Sequence, residues 1–236
     1  MDTRCLLWTP GVYYGYNGDM RRVPISPDEH YHLFNRGVLK RNIFPEDRDR
    51  IRFLFSLLYF QSPLSFTNPG FHVRNYYESS TFDPTGTATE KVATNRTVEL
   101  VAFCLMPNHF HLLVREAAEN GIAGYMQRVL NAYTKYFNVK YKSSGHLFQG
   151  PYQAVHVESN EQLLHLSAYI HRNPRELKGW KGREERYPWS SGSDYLEKNR
   201  WGKLLLTDII AGQFSSSEEY ADFLRTSSAK TDNEDL

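Results

Sequence analysis

Apolar residues recur along the chain at two different spacings, which predict strands and helices in alternation. The run from Tyr31 to Gly37 has the β-favouring composition of a strand that ends at a glycine. Further along the chain, apolar residues recur at helical spacing, at Ile51, Leu54, Phe55 and Leu58. Because these positions follow Pro45, which suits a first helical turn, we predict a helix that ends near Phe60.

The middle of the chain predicts a β-hairpin, and the second half predicts two helices with a strand between them. A nearly continuous apolar run at residues 98–105 is typical of a buried strand, and residues 109–114 form its antiparallel partner after a Pro-Asn turn. Apolar positions step by three and four over about residues 119–141, which predicts a long amphipathic helix. A short strand at residues 153–157 and a helix at residues 159–172 follow, and the helix ends there because the residue before a proline avoids helical geometry.

The order of these elements indicates an α+β fold. Strand, helix, strand, strand, helix and strand match the ferredoxin-like split β-α-β topology with an antiparallel sheet, and one extra helix follows. We predict an irregular N-terminal arm at residues 1–27, a main domain at 28–200 and a C-terminal extension with a polar acidic tail at 201–236. Residues 61–96, rich in Ser, Thr, Asn, Pro and Gly, are interpreted as an insertion in the main domain.

Composition changes this interpretation little. The chain has 236 residues, of which 40% are hydrophobic, which is enough for one core. Its two cysteines, Cys5 and Cys104, indicate neither a disulfide framework nor a cysteine-rich zinc site. Because the chain has neither an apolar run of roughly 18 residues nor a signal-like start, we predict a cytoplasmic protein with no membrane segment.

The net charge of +1 does not by itself indicate a nucleic-acid-binding protein. Residues 121–210 carry 13 Lys and Arg against 8 Asp and Glu, whereas residues 211–236 carry 2 against 6. The acidic C-terminus therefore masks a moderately basic segment. Such a segment, rich in aromatic residues, suits phosphate contact and base stacking, but it is equally common on solvated surfaces.

Two pairs of residues are candidates for chemistry. His109 and His111 are two residues apart on a predicted strand, so both imidazoles project from one face and can bind one metal ion. Alternatively, one is a buried structural histidine and the other faces solvent. Tyr169 and Asn173 are four residues apart and share a helical face, which combines a phenol nucleophile with an amide oxygen. Two imidazoles and one amide would leave positions on Mg²⁺ or Mn²⁺ for phosphate oxygens.

The chain has 16 tyrosines, and spacing alone does not distinguish Tyr169 from the rest. Five segments, however, resemble one family, the REP-associated tyrosine transposases of the single-tyrosine HuH (histidine, hydrophobic, histidine) superfamily, which are IS200-like. The segments are, in the family's order, NRG at 35–37, LMPNHFHLLV at 105–114, SGHLFQG at 144–150, AYIHRNP at 168–174 and PWSS at 188–191.

This resemblance implies a HuH nuclease fold acting on single-stranded DNA, often at hairpins formed by repetitive extragenic palindromes. It implies that His109, His111 and Asn173 bind the metal ion and that Tyr169 is the nucleophile on the extra C-terminal helix. The family reaction leaves a 5′-phosphotyrosine and a free 3′-hydroxyl, so that another 3′-hydroxyl can reverse the step and join strands.

Five further residues are interpreted as DNA contacts. Arg36 follows a predicted strand, Arg128 and Lys135 lie on the polar face of the long helix, and Phe148 and Trp189 are candidates for base stacking. An exposed arginine, a solvated helix face and buried aromatic rings are the respective alternatives.

Two other functions remain open at this stage. One is a domesticated DNA-hairpin-binding protein without significant cleavage, which is consistent with the near-neutral charge and with residues 151–153, where the resembled family usually has basic residues. The other is a metal phosphohydrolase that uses the histidine pair and water. A homodimer is also left open, although no heptad pattern or apolar seam argues for one.

Overall fold

The computed structural model of the chain describes residues 24–64 and 68–227. Within these residues, four strands form one antiparallel sheet: β1 (His30–Arg36), β2 (Val98–Met106), β3 (His109–Glu116) and β4 (Gln153–Val157). Their order across the sheet is β2-β3-β1-β4. This is the order of a ferredoxin-like sheet, so the predicted α+β fold is confirmed.

Helices cover both faces of the sheet. On one face lie α1 (Asp47–Tyr59) and α4 (Gly121–Lys140), and on the other lies α5 (Asn160–Arg172). The shorter or peripheral helices are α2 (Pro69–Ser79), α3 (Thr87–Thr94), α6 (Gly192–Leu196), α7 (Asp208–Ala211) and α8 (Ser217–Thr226). None of the helices in the described ranges has both the length and the apolar character needed to span a membrane.

Strand alternation divides the core into two layers. On β3, Leu112 and Val114 pack toward α1 and α4, whereas Leu113 packs on the α5 side. Aromatic rings fill the first layer, as shown by Phe53 of α1 and Tyr133 of α4, whose centroids lie 4.9 Å apart. The same alternation directs the remaining odd-numbered positions of β3 toward α5.

Helix α5 begins and ends where the sequence predicts. Ser159 caps its start, because the Ser159 hydroxyl accepts a hydrogen bond from the Gln162 backbone N–H at 3.2 Å. The α-helical geometry ends at Arg172, and a 3-10 turn (Asn173–Glu176) follows with Pro174 near its start. Asn173 therefore lies one turn beyond Tyr169.

The segment interpreted as an insertion contains α2 and α3, which the sequence pattern did not predict. Helix α2 packs on α1, where the rings of Phe55 and Tyr76 lie 5.5 Å apart. Phe82, between the two helices, lies 5.1 Å from the indole of Trp201. The segment is thus folded against the α1 side of the molecule and against the region that follows residue 200.

Residues 188–227 cover α5 and the outer edge of β2. The Leu105 N–H donates to the Trp189 carbonyl at 2.8 Å, and the Ser191 N–H donates to the Phe103 carbonyl at 3.0 Å, so this segment pairs with the free edge of the sheet. The predicted arm lies mostly outside the described residues, as do Cys5 and the tail beyond Ser227. The three predicted regions therefore stay predictions.

Candidate active site

Side chains from β1 and β3 line the sheet face beneath α5. The register pairs Arg36 with His109 and Phe34 with His111. Because facing residues of an antiparallel pair point to the same side, β1 adds His32, Phe34 and Arg36 to the face that carries both β3 histidines. The rings of His109 and His111 lie 5.1 Å apart, so the two imidazoles share a face as their spacing predicts.

His109 lies between two asparagine side chains. Its Nδ1 is 2.7 Å from Oδ1 of Asn108, and its Nε2 is 3.3 Å from Oδ1 of Asn173. Burial lowers the pKa of His109 to about 4, so the ring is neutral at pH 7. When Nδ1–H donates to Asn108, the bare Nε2 faces the Asn173 oxygen. Two acceptors that face each other in this way are favourable only with a cation between them.

His111 is buried more deeply, with 2% of its surface exposed. Its Nδ1 lies 2.9 Å from Nε2 of His32 on β1. Burial lowers the pKa of His32 to about 3 and holds the pKa of His111 well below its usual range. Both rings are therefore neutral, which is the state in which an imidazole nitrogen binds a metal ion.

Helix α5 places Tyr169 over the histidines. The ring of Tyr169 lies 5.3 Å from that of His111 and 6.0 Å from that of His32, nearly perpendicular to both. Tyr169 is half-buried. One turn later on the same face, Asn173 reaches His109. The four residues predicted to carry the chemistry thus meet at one place, although they come from distant parts of the sequence.

Arg36 adds a positive charge at the end of β1. It is half-buried and lies close enough to the histidine pair to lower the pKa of both His109 and His111, as a smaller effect than burial. Burial lowers the pKa of Arg36 itself, and nearby Glu176 opposes that effect. A guanidinium beside neutral imidazoles is well placed for a phosphate group.

The structure places three of the other predicted DNA contacts away from this site. Arg128 and Lys135 belong to α4 on the opposite face of the sheet, where the Arg128 guanidinium donates to the Phe60 carbonyl at 2.8 Å and Lys135 is exposed. Trp189 is half-buried at the outer edge of β2, with the guanidinium of Arg50 5.7 Å from its ring. Of the five predicted contacts, Arg36 alone adjoins the histidines.

Phe148 is a core residue and not an exposed stacking platform. Only 6% of its surface is exposed, and its ring packs with Phe53 and Phe110 between the sheet and α1. A bridge between Phe148 and Gly37 explains this position, because it aligns the loop with the end of β1 and directs the ring inward. The expected contact with an unpaired base is therefore not available to this ring.

The short Asn-Arg-Gly motif has a structural role that its resemblance did not specify. The Asn35 amide donates to the Gly150 carbonyl at 3.1 Å, and the Gly37 N–H donates to the Asn108 carbonyl at 2.8 Å. A Cβ atom at Gly37 would clash with the Arg41 carbonyl oxygen and would lie 2.7 Å from Ile43 Cγ2. The motif thus fixes the turn that precedes His109.

Sequence reasoning missed His32 and Asn108, which touch the two histidines directly. The alternation of β1 was an available signal for His32, since it shares a strand face with Arg36. Asn108 was interpreted only as a turn residue. In the described residues no three side chains of the types His, Cys, Asp and Glu are grouped to hold a metal ion. The donors that fit a divalent cation are instead two imidazoles and the Asn173 oxygen.

A ferredoxin-like sheet with a same-face histidine pair, beneath a helix that carries a tyrosine and then an amide one turn later, has the arrangement expected of a single-tyrosine HuH nuclease. Residues 74–173 match the profile of the family described as "Transposase IS200 like", and the match includes all four of these residues. This segment, which is less than half of the chain, is thus similar to the IS200-like transposase family.

One solved structure with a similar fold is a REP-associated tyrosine transposase bound to a REP hairpin. The two chains are 12% identical with a TM-score of 0.51, and the match covers 84% of this chain and 96% of that one. At this identity the likeness supports the fold alone. No curated protein matches the chain in sequence.

Proposed function

We propose that this protein nicks and rejoins single-stranded DNA, at hairpin or palindromic repeat sequences, through a 5′-phosphotyrosine intermediate on Tyr169. The observation that carries the proposal is the meeting of Tyr169 with His109, His111 and Asn173 on one sheet face. A phenol beside three neutral metal-binding groups suits phosphoryl transfer better than a role in the core.

His109, His111 and Asn173 would hold Mg²⁺ or Mn²⁺. Such an ion, when bound, polarises a phosphodiester and offsets its negative charge. The protein keeps both imidazoles neutral by burial, so they need not lose protons at pH 7 to act as ligands. Arg36 adds a fixed positive charge beside them for a neighbouring phosphate.

The Tyr169 oxygen is the proposed nucleophile. It forms a bond to phosphorus while the bond from phosphorus to O3′ breaks, the phenolic proton is lost, and the 3′-oxygen takes up one proton. The downstream strand is then linked to Tyr169 by its 5′-phosphate, and the upstream strand ends in a 3′-hydroxyl. Because the link is itself a phosphodiester, a second 3′-hydroxyl can displace Tyr169 and join the strands without ATP.

A DNA hairpin is the proposed substrate class. The transposase with a similar fold was solved with a REP hairpin, and the present chain has a moderately basic segment at residues 121–210 despite its low net charge. Both features support a hairpin with unpaired flanking nucleotides as the first substrate to test.

The first prediction is a covalent adduct that depends on Tyr169. The full chain is incubated with Mn²⁺ and a hairpin oligonucleotide labelled at its 3′ end, because the proposed link retains the downstream fragment. A labelled protein band on a denaturing gel is expected for the native chain and is lost in Tyr169→Phe. The matched control Tyr77→Phe, which changes an exposed tyrosine on α2, keeps the adduct.

Three outcomes would contradict the proposal. An undiminished adduct with Tyr169→Phe would place the nucleophile elsewhere. Cleavage that survives the loss of Tyr169 would favour a metal phosphohydrolase. Tight, metal-independent binding of the hairpin without any adduct would favour a DNA-hairpin-binding protein.

A further inference from the structure

His32 contacts a proposed metal ligand but is not assigned by the motifs. Its Nε2 lies 2.9 Å from Nδ1 of His111, and the two rings are nearly parallel at an interplanar angle of 24°. We propose that His32 is a positioning residue: it accepts a hydrogen bond from His111 Nδ1–H and so leaves His111 Nε2 free of a proton and able to bind the ion. This inference rests on the proposed function.

The positions of the protons on the two rings decide whether His111 Nε2 can bind an ion. A neutral imidazole carries one N–H, so the contact between His32 and His111 holds a single proton, which comes from one ring or the other. If His32 donates, then His111 accepts at Nδ1, its own proton lies on Nε2, and that nitrogen cannot bind a cation. If His111 donates, its Nε2 presents a lone pair. Metal binding through Nε2 therefore requires His32 to act as the acceptor.

The neighbouring histidine has a parallel arrangement. Nδ1 of His109 contacts an acceptor, the Asn108 side-chain oxygen, while Nε2 faces Asn173. Metal-binding histidines in proteins commonly donate their second ring N–H to an acceptor, which fixes both the tautomer and the ring orientation. Asn108 and His32 would thus perform the same task for the two imidazoles, from the turn and from β1 respectively.

The surroundings of His32 favour orientation over direct metal binding. His32 does not form, with His109 and His111, a group arranged to hold a metal ion in the described part of the chain. Phe34 packs 4.9 Å from its ring and Tyr169 covers it at 6.0 Å. These rings restrict the motion of His32, so the acceptor nitrogen stays aimed at His111.

Two measurements on the full-length protein test the inference. Long-range ¹⁵N–¹H spectra of the metal-free protein at pH 7 are expected to show His111 as the Nδ1–H tautomer. Titration calorimetry with Mn²⁺ is expected to show affinity about 10–100-fold weaker in His32→Leu, which removes the acceptor. His32→Gln keeps an acceptor oxygen at a similar reach and should restore most of that affinity.

The matched control is His30→Leu. His30 lies on the same strand face, two residues before His32. It is paired with Arg115 in the sheet, and the contacts of the described residues include none between His30 and His111. We expect this variant to bind Mn²⁺ like the native chain. Equal weakening in both leucine variants would overturn the inference, because the loss would then not depend on the contact between His32 and His111.

The inference fails if native His111 carries its proton on Nε2, or if His32→Leu binds Mn²⁺ as tightly as the native chain. If His32→Leu does not fold, the native tautomer and the affinity of His32→Gln still decide the question. A native chain that binds no Mn²⁺ overturns the proposed function instead, and the tautomer spectrum then tests the contact with His32 by itself.

Discussion

Leu39 and Lys40 adopt a backbone conformation that L residues rarely use. Their φ angles are +54° and +58°, in the left-handed region, and Leu39 is 92% exposed, so its side chain gains little from packing. The turn is held by hydrogen bonds from the Lys40 N–H to the Gly37 carbonyl at 3.0 Å and from the Asn108 amide to the Lys40 carbonyl at 3.2 Å. The strain therefore belongs to the turn that supports Asn108 beside His109.

Replacing Leu39 with glycine should raise the free energy of unfolding by about 0.5–1 kcal/mol, because glycine adopts positive φ without steric cost. Urea denaturation measures the change. Val139→Gly is the control, since Val139 is also exposed but lies in regular helix α4, and its replacement should lower stability. If both variants lose stability, Leu39 is not strained.

At the scale of single residues, the sequence predicted those side-chain positions that follow from the periodicity of a strand or a helix. The shared face of His109 and His111 follows from alternation, and the proximity of Tyr169 to Asn173 follows from helical spacing. The burial of Phe148 depends on a bridge to β1, which no local pattern shows. The contacts of His32 and Asn108 could not be predicted from a local pattern either, because they depend on strand register and turn geometry.

Helix α5 is fixed in place by a buried polar network that joins it to α8 and to the segment beside β2. His171 is fully buried, and its two ring nitrogens each lie 2.8 Å from a hydroxyl, that of Tyr220 on α8 and that of Ser191 beside β2. The Tyr220 hydroxyl also donates to Ser167 Oγ at 3.1 Å. These contacts determine where α5 lies and hence where it places Tyr169.

Tyr220→Phe should lower the free energy of unfolding by about 1–3 kcal/mol, because the buried Nδ1 of His171 then loses its hydrogen-bond partner, while Ser167 Oγ keeps only its bond to the Leu164 carbonyl. Urea denaturation of this variant is compared with that of Tyr77→Phe, whose exposed hydroxyl contributes little. Equal stability of the two variants would show that the network does not hold α5.

Among the helices, those that bury several of their own side chains were predictable, and the others depend on distant contacts. All four strands, α1, α4 and α5 follow from spacing and end signals in the sequence. Helices α2 and α3 bury only Val73 and, in α3, Thr89 and Val92, and this part of the chain is packed through rings such as Phe82 on Trp201. The last helices are likewise positioned by long-range contacts with α5, such as the contact between Tyr220 on α8 and His171 on α5.

At the scale of the whole molecule, several buried histidines lie on the α5 side of the sheet, and burial keeps them neutral. The pKa is lowered by burial to about 3 for His32 and His171 and to about 4 for His109, and the pKa of His111 is held well below its usual range. In the unfolded chain these groups titrate near the ordinary value of 6.5. Between pH 6.5 and about 4, the unfolded state therefore binds protons that the folded state does not.

This difference in proton binding predicts that acid destabilises the metal-free protein. Stability rises with pH wherever the unfolded state binds more protons, so the free energy of unfolding should fall as the pH drops from 7 to 5, with a slope of up to about 1.4 kcal/mol per pH unit for each buried histidine. Urea denaturation with EDTA at several pH values measures the slope. His171→Gln, which removes one of these groups, should give a shallower slope. Equal stability at pH 7 and pH 5 would mean that the folded protein accepts protons on these rings, and the neutral site on which metal binding depends would then be lost.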